Sequence, residues 1–213
     1  MSESRNTFTC YWAQHRIAAL KALPPEAPAL PMLFGGPHVS QPSFLRAGVA
    51  AGDRIIVIGL ARGSLLVVAG LTVAQIGPVS EVMPAGMPGY ADHRTGDWAA
   101  RAGWPEKVFY SALCVTCTEE AIVAADAVRP PLPRPLPPEA LRRFVFLNQR
   151  GARRPKGVET GRVTAPLAFQ GNYRVHPDTA RDLEAALVST TDVVEAVAES
   201  DASGGGPLPL FER

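Results

Sequence analysis

Four large aromatic side chains carry the flat, apolar faces on which a nucleotide base can stack. Tyr11 and Trp12 are adjacent near the start of the chain, and Trp98 and Trp104 follow much later. Stacking on such rings contributes about 1–3 kcal/mol per base, and a few polar groups must also meet the edge of the base. For any single ring, packing in the core is the more common alternative. The candidate stacking residues are Tyr11, Trp12, Trp98 and Trp104.

Residues 142–174 form a dense basic stretch that could hold a phosphate backbone. The stretch has eight basic residues and a single acid, Glu159, whereas the whole chain has a net charge of only +1. Arginine contacts to phosphate give affinity that falls with salt. The alternative is a solvated loop whose cations pair with the acidic remainder of the chain. The candidate backbone-binding residues are Arg150, Arg153, Arg154, Lys156 and Arg162, with Phe169 and Tyr173 interleaved nearby.

The sequence motifs give little support for catalysis or for metal binding. Cys114 and Cys117 form a lone CxxC pair, which cannot complete a tetrahedral zinc site by itself, and the four histidines show no ligand spacing. Nucleophile elbows, phosphate-binding loops, dinucleotide fingerprints and zinc-protease motifs are missing from the sequence. We therefore expect no catalytic residue, no metal and no cofactor.

Two further function classes stay open. A metal-dependent hydrolase or nuclease-associated protein could use residues such as Asp92 and His93. A protein-interaction module could use the proline-rich segment at 129–138 or the end of the chain at 199–213.

Length and composition indicate one globular domain with a sizeable core. The chain has 213 residues, of which 46% are hydrophobic and 19% are charged. Its first residues are polar rather than apolar, and no run approaches the length of a membrane span. Three cysteines without a secretory signal are typical of a reducing compartment, so we expect a cytoplasmic protein without a membrane partner.

The elements that must position these residues are organised around a hairpin. Residues 54–60 and 65–76 are two β-branched, apolar runs joined by a short polar turn with a glycine. Neither run alternates with polar residues, which predicts burial on both faces of the sheet. Further strands are predicted at 7–13 and 107–118, whereas 121–127 is ambiguous.

The remaining pattern predicts short helices and long connections. Helices are predicted at 15–23, 41–45, 96–102, 138–143 and 177–187, and connections at 24–42 and 77–95. Taken together, the pattern predicts a disordered lead at 1–6, followed by a β core at 7–128. A proline-rich connector at 129–138 comes next. A basic loop and C-terminal helix at 139–198 complete the domain, and a flexible tail follows at 199–213.

The order of these features resembles the EVE domain of the PUA-like superfamily. The similarity is carried by Tyr11 and Trp12 at the end of a first strand, Arg46 in a short helix, and Gly52-Asp53 opening the hairpin. This resemblance implies an α+β fold with an antiparallel β pseudo-barrel and short helices packed outside. It also implies a non-enzymatic module that binds DNA or RNA and reads a modified base in an aromatic cage. The resemblance adds Ser43 and Arg46 to the candidate nucleotide-binding residues Tyr11, Trp12, Trp98 and Trp104.

Overall fold

The computed structural model of this chain describes residues 5–20, 24, 29–37, 42–82 and 118–188. The strands are β1 (Thr7–Trp12), β2 (Met32–Gly35), β3 (Arg54–Ala61), β4 (Ser64–Pro78), β5 (Glu120–Val128), β6 (Arg134–Pro135), β7 (Phe146–Asn148), β8 (Gly151–Arg153) and β9 (Asn172–Val175). The helices are α1 (Gln14–Ala19), α2 (Phe44–Ala47), α3 (Val79–Val82), α4 (Pro138–Arg142), a 3-10 turn at Pro166–Phe169 and α5 (Pro177–Val188). None of these helices is long and apolar enough to cross a membrane.

The predicted hairpin is the centre of the sheet and is buried on both faces, as expected. Ile55 and Val57 of β3 belong to one core cluster, and Ile56 and Ile58 belong to a second cluster on the opposite face. In β4, Val68 is an extra residue between the pairs Ile58–Val67 and Val57–Ala69, which makes a β-bulge. Each face of this hairpin therefore has its own hydrophobic core.

The described residues form a sheet of nine strands that is mostly antiparallel. Its order is β2-β5-β4-β3-β1-β9-β7-β8, and β6 pairs with β4 beside this path. Among these described strands, only β1 and β3 run parallel. The fold is thus α+β, and over the described strands the sheet is open between β2 and β8 rather than closed into a barrel.

The proline-rich segment at 129–138 is not a free connector between two bodies. Within it, β6 pairs with Leu66 and Val67 of β4, and the Leu136 amide donates to the Leu65 carbonyl at 2.7 Å. The chain beyond it then returns to the same sheet through β9, which pairs with β1.

Several predicted elements shift, and one was missed. The helix predicted at 15–23 ends at Ala19, and the turn predicted at 41–45 is a helix at 44–47. The predicted connection 24–42 contains β2, which pairs with β5, and the ambiguous segment 121–127 is the core of β5. The predicted connection at 77–95 begins with the end of β4 and with α3. The helix predicted at 96–102, residues 107–117 of the strand predicted at 107–118, and the tail at 199–213 lie outside the described residues.

Candidate nucleic-acid interface

A two-residue turn builds the exposed end of the sheet. Strands β7 and β8 form an antiparallel hairpin in which Asn148 pairs with Gly151 across Gln149 and Arg150. The side-chain Oδ1 of Asn148 accepts the Arg150 amide at 2.8 Å, and Gly151 takes a φ of 108°. Asn and Gly are suited to these roles because an Asn side chain can bond the backbone two residues on and Gly tolerates a positive φ.

Seven consecutive residues, 148–154, are exposed, so this hairpin projects from the core that holds it. Its base is fixed by Phe146, which is 2% exposed and makes edge-to-face contacts with Phe144 and Phe169 at centroid distances of 5.1 and 5.8 Å. Such aromatic pairs stabilise by about 0.5–1.5 kcal/mol beyond their burial. An exposed strand pair is therefore mounted on a rigid aromatic base.

Five exposed cations lie on or next to this hairpin and have no ion-pair or hydrogen-bond partner for their side chains among the described residues. We call them the basic hairpin end. The five residues are Arg150, Arg153, Arg154, Lys156 and Arg174. Four of them belong to the predicted backbone-binding set.

The other cations of the basic stretch are used within the fold. Arg143 makes a two-pronged ion pair with Asp182 of α5, with N–O distances of 2.8 and 2.6 Å, which raises the pKa of its guanidinium. Arg142 contacts Glu139 at 3.5 Å and the Thr160 carbonyl at 3.3 Å. Arg142 and Arg143 are thus paired with acids, unlike the cations of the basic hairpin end.

Arg162 is also placed away from the basic hairpin end. Its guanidinium donates to the carbonyl of Arg62 at 2.9 Å, in the turn that joins β3 to β4. The neighbouring Val163 amide donates to the Gly63 carbonyl at 2.7 Å, so this segment clasps the central hairpin. The structure thus separates Arg162 from the other predicted backbone-binding residues and gives it a structural contact.

Register places cations on both faces of the strands around the hairpin. Arg153 is paired with Phe146, and its guanidinium lies over the Phe146 and Tyr173 rings at 5.8 and 5.9 Å from their centroids. Arg174 pairs with Leu147 and with Phe8, which lie on the opposite face. Arg174 was not among the predicted contacts, although its position between apolar neighbours in the run Asn172–Val175 is a signal for an outward-facing strand residue.

The single acid of the stretch does not neutralise this end. The Glu159 carboxylate accepts the Gly157 amide at 3.2 Å, and backbone hydrogen bonds, including its own amide, hold its pKa below the usual range. This carboxylate therefore stabilises a turn and forms no ion pair with a cation of the basic hairpin end. The interleaved aromatic residues also serve the fold: Phe169 is fully buried, and the Tyr173 hydroxyl donates to the Gln170 carbonyl at 2.9 Å.

The predicted aromatic pair does not share a pocket. Trp12 is 0% exposed in the first core cluster, and the Arg16 guanidinium lies 4.3 Å above its ring centroid. Tyr11 points to the other face of β1, where it is half-buried against the second core cluster, and burial raises the pKa of its hydroxyl. In the structure Trp12 therefore offers no open stacking face beside a loop, in contrast to the expectation from the sequence. Trp98 and Trp104 lie outside the described residues.

Ser43 and Arg46 lie at the two ends of one helical turn. The Ser43 hydroxyl accepts the Arg46 amide at 2.9 Å and donates to a Glu120 carboxylate oxygen at 2.5 Å. The Glu120 carboxylate also accepts the amides of Phe44 and Leu45, so it neutralises the start of α2. Ser43 is thus committed to the cap, whereas the Arg46 side chain is exposed and makes no ion pair among the described residues.

Helix α2 lies on the same side of the sheet as Arg174. The Asn172 side-chain amide on β9 donates to the Pro42 carbonyl, just before α2, at 2.7 Å. Asn172 and Arg174 are two residues apart on β9 and therefore point to the same face. Arg46 and Arg174 thus belong to one side of the molecule, although their side chains do not touch.

The remaining candidates carry little chemistry. Within the described ranges, no group of three or more His, Cys, Asp or Glu side chains could hold a metal. Cys10 is buried, and burial raises the pKa of its thiol to about 11, which keeps it protonated. Asp92, His93, Cys114 and Cys117 fall outside the described residues.

Comparisons with protein-family models, with curated proteins and with solved structures found no match.

Proposed function

We propose that this chain is a non-enzymatic module that binds the phosphate backbone of nucleic acid through the basic hairpin end. One observation carries the proposal. Five exposed cations gather at one end of the sheet and have no acidic partner among the described residues, while the neighbouring Arg142 and Arg143 of the same stretch are paired. Cations whose role is to balance acidic charge within the fold would be paired with carboxylates, as Arg143 is with Asp182.

The chemistry of these side chains suits phosphate. Four of the five are arginines, whose planar guanidinium can donate two parallel hydrogen bonds to phosphate oxygens. Binding releases the counterions condensed on the nucleic acid, so the affinity depends steeply on salt. The guanidinium of Arg153 already lies over two rings, which reduces the side-chain entropy lost on binding.

The proposal has a finer part that rests on the resemblance to the EVE domain. In this part the sheet belongs to a PUA-like pseudo-barrel, the protein is cytoplasmic, and a modified base is read by the aromatic residues. A base can stack on Trp12 only if Arg16 leaves the ring, because Arg16 occupies that face. Arg46 would then meet a phosphate or a base edge from the side of α2.

Binding of fluorescently labelled DNA and RNA, measured by anisotropy at low salt, tests the proposal. The hairpin triple variant carries Arg150→Gln, Arg153→Gln and Arg154→Gln. The control triple variant loses the same charge from three paired arginines and carries Arg142→Gln, Arg143→Gln and Arg181→Gln.

We expect the hairpin triple variant to lose most of the binding and the control triple variant to retain it. Circular dichroism confirms that both variants are folded. Absence of wild-type binding to every probe, or an equal loss in the two variants, would show that the basic hairpin end is not the interface. A panel of modified bases, repeated with Trp12→Phe, tests the finer part: an unchanged preference would remove Trp12 from it.

A further inference from the structure

We propose that the β7–β8 hairpin enters the major groove of double-stranded DNA tip first, with Gln149 and Arg150 at the base edges. This inference rests on the proposed function and names its ligand. It follows from three features of the hairpin: its dimensions, the placement of its cations on two faces, and the chemistry of its turn.

The dimensions fit the major groove of B-form DNA. The pairing of β7 with β9 ends at Leu147, so beyond that residue β7 and β8 continue as a two-stranded ribbon. Two paired strands are about 5 Å apart, and the major groove, at about 12 Å wide, admits such a ribbon. The minor groove is only about 6 Å wide, and the major groove of an RNA duplex is too narrow for side chains to read. Exposure of all residues from 148 to 154 means that the tip can enter without displacing part of the fold.

The cations suit a groove with two phosphate walls. Arg153 of β8 lies on the same face of the sheet as its partner Phe146 of β7, and Arg174 of β9 lies on the opposite face with its partner Leu147. Arg154 and Lys156 continue from the end of β8. A flat phosphate surface would need cations on one face only, whereas a ribbon between two walls uses cations on both.

The turn carries groups that can read bases. Gln149 is exposed and its side-chain amide has no hydrogen bond within the described part of the chain, so it can offer a donor and an acceptor together. This pattern matches N6 and N7 of adenine, and the Arg150 guanidinium matches O6 and N7 of guanine. The Arg150 backbone is held by Asn148, which fixes the direction of the turn.

A single strand is a poorer fit to this end of the molecule. Proteins that bind single strands use exposed rings on which the bases stack. Between residues 142 and 176, all of which are described, the three phenylalanines are buried and Tyr173 is partly covered by Arg153. This segment therefore offers charge and hydrogen bonds but no open stacking face.

The test compares one sequence as a DNA duplex, as single-stranded DNA and as an RNA duplex. We expect the DNA duplex to bind at least about tenfold more tightly than the other two, because only it admits the tip. Equal binding to single strands, or preference for the RNA duplex, would overturn the groove assignment and leave the proposed function standing. Failure to bind any of the three would overturn both.

A second measurement addresses the groove directly. Replacing purines by 7-deazapurines removes the N7 acceptor from the major groove and leaves the minor groove unchanged. The DNA duplex of the first test should bind wild-type protein several-fold more weakly when its purines are replaced in this way than when they are not. The Gln149→Ala, Arg150→Ala double variant should not distinguish the two duplexes. If the wild-type protein binds both duplexes equally, the tip does not read the major groove.

Discussion

The salt dependence of DNA binding should report the number of unpaired cations at the basic hairpin end. Each phosphate neutralised on B-form DNA adds about 0.9 to the slope of log affinity against log salt. Five unpaired side chains therefore predict a slope of about −4.5 when all of them are engaged. Between 50 and 200 mM salt the wild-type affinity should then fall by about 500-fold.

The hairpin triple variant retains only Lys156 and Arg174, so its slope should be about −1.8. The same change in salt should weaken it only about 12-fold. The control triple variant should keep the wild-type slope, because its three arginines are already neutralised by Glu139, Asp182 and Asp178. Anisotropy titrations at four or more salt concentrations give these slopes.

The outcome that refutes this reasoning is specific. If the control triple variant lowers the slope as much as the hairpin triple variant, the ligand responds to net charge rather than to the unpaired cations. A wild-type slope near zero would mean that phosphate contacts do not drive binding at all.

Two further predictions concern the fold that carries the interface. Glu120→Ala should lower the free energy of unfolding by about 1–3 kcal/mol in urea titrations, because the Ser43 hydroxyl and two amides of α2 lose their acceptor. Glu119 is an exposed neighbour whose side chain makes no such bonds, so Glu119→Ala should change the free energy of unfolding little. Equal effects of the two substitutions would contradict the capping role of Glu120. The Cys10 thiol has a pKa of about 11 in the folded state and about 9 when unfolded, so its contribution is complete below pH 9 and is lost as the pH rises to 11. The loss should be roughly 3 kcal/mol, and Cys10→Ala should remove that part of the pH dependence of stability over the window; a profile as steep as that of the wild-type protein would contradict it.

Local pattern predicted the centre of the sheet but not the strands that complete it. The β3–β4 hairpin is visible because two apolar, β-branched runs flank a glycine turn, and both faces need cover. Strand β2 has only four residues in a proline-rich stretch, and its partner β5 lies about 90 residues further along the chain. The parallel pairing of β1 with β3 likewise depends on distant contacts that no short window contains.

The candidate site was predictable in composition and not in pairing. The density of arginine in residues 142–174 marks the segment that contains the basic hairpin end. Which arginines stay unpaired depends on residues far away in sequence: Asp182 is 39 residues from Arg143, and the carbonyl that holds Arg162 belongs to Arg62, 100 residues earlier. Trp12 is buried because residues from several other strands pack around it in the first core cluster. The residues next to it in sequence are polar and aromatic, so they did not indicate this burial.

A competing explanation for the basic hairpin end is protection of the sheet edge. Strand β8 is the last in the order, and exposed edges are often kept from pairing with other chains by charged side chains. Protection needs charge of either sign, whereas phosphate binding needs positive charge. The double variant Arg154→Glu, Lys156→Glu separates the two, because neither side chain has a hydrogen bond or ion pair among the described residues.

If the cations serve binding, this double variant should keep the wild-type mass in light scattering and unfold at the wild-type temperature. It should also lose DNA binding beyond the loss seen in Arg154→Gln, Lys156→Gln. The extra loss arises because each carboxylate repels the phosphates that the cation attracted. If the charges serve only the edge, the two double variants should bind DNA alike, and the neutral one should aggregate while the acidic one does not. The sign of the charge, rather than its presence, is therefore what distinguishes an interface from a protected edge in this protein.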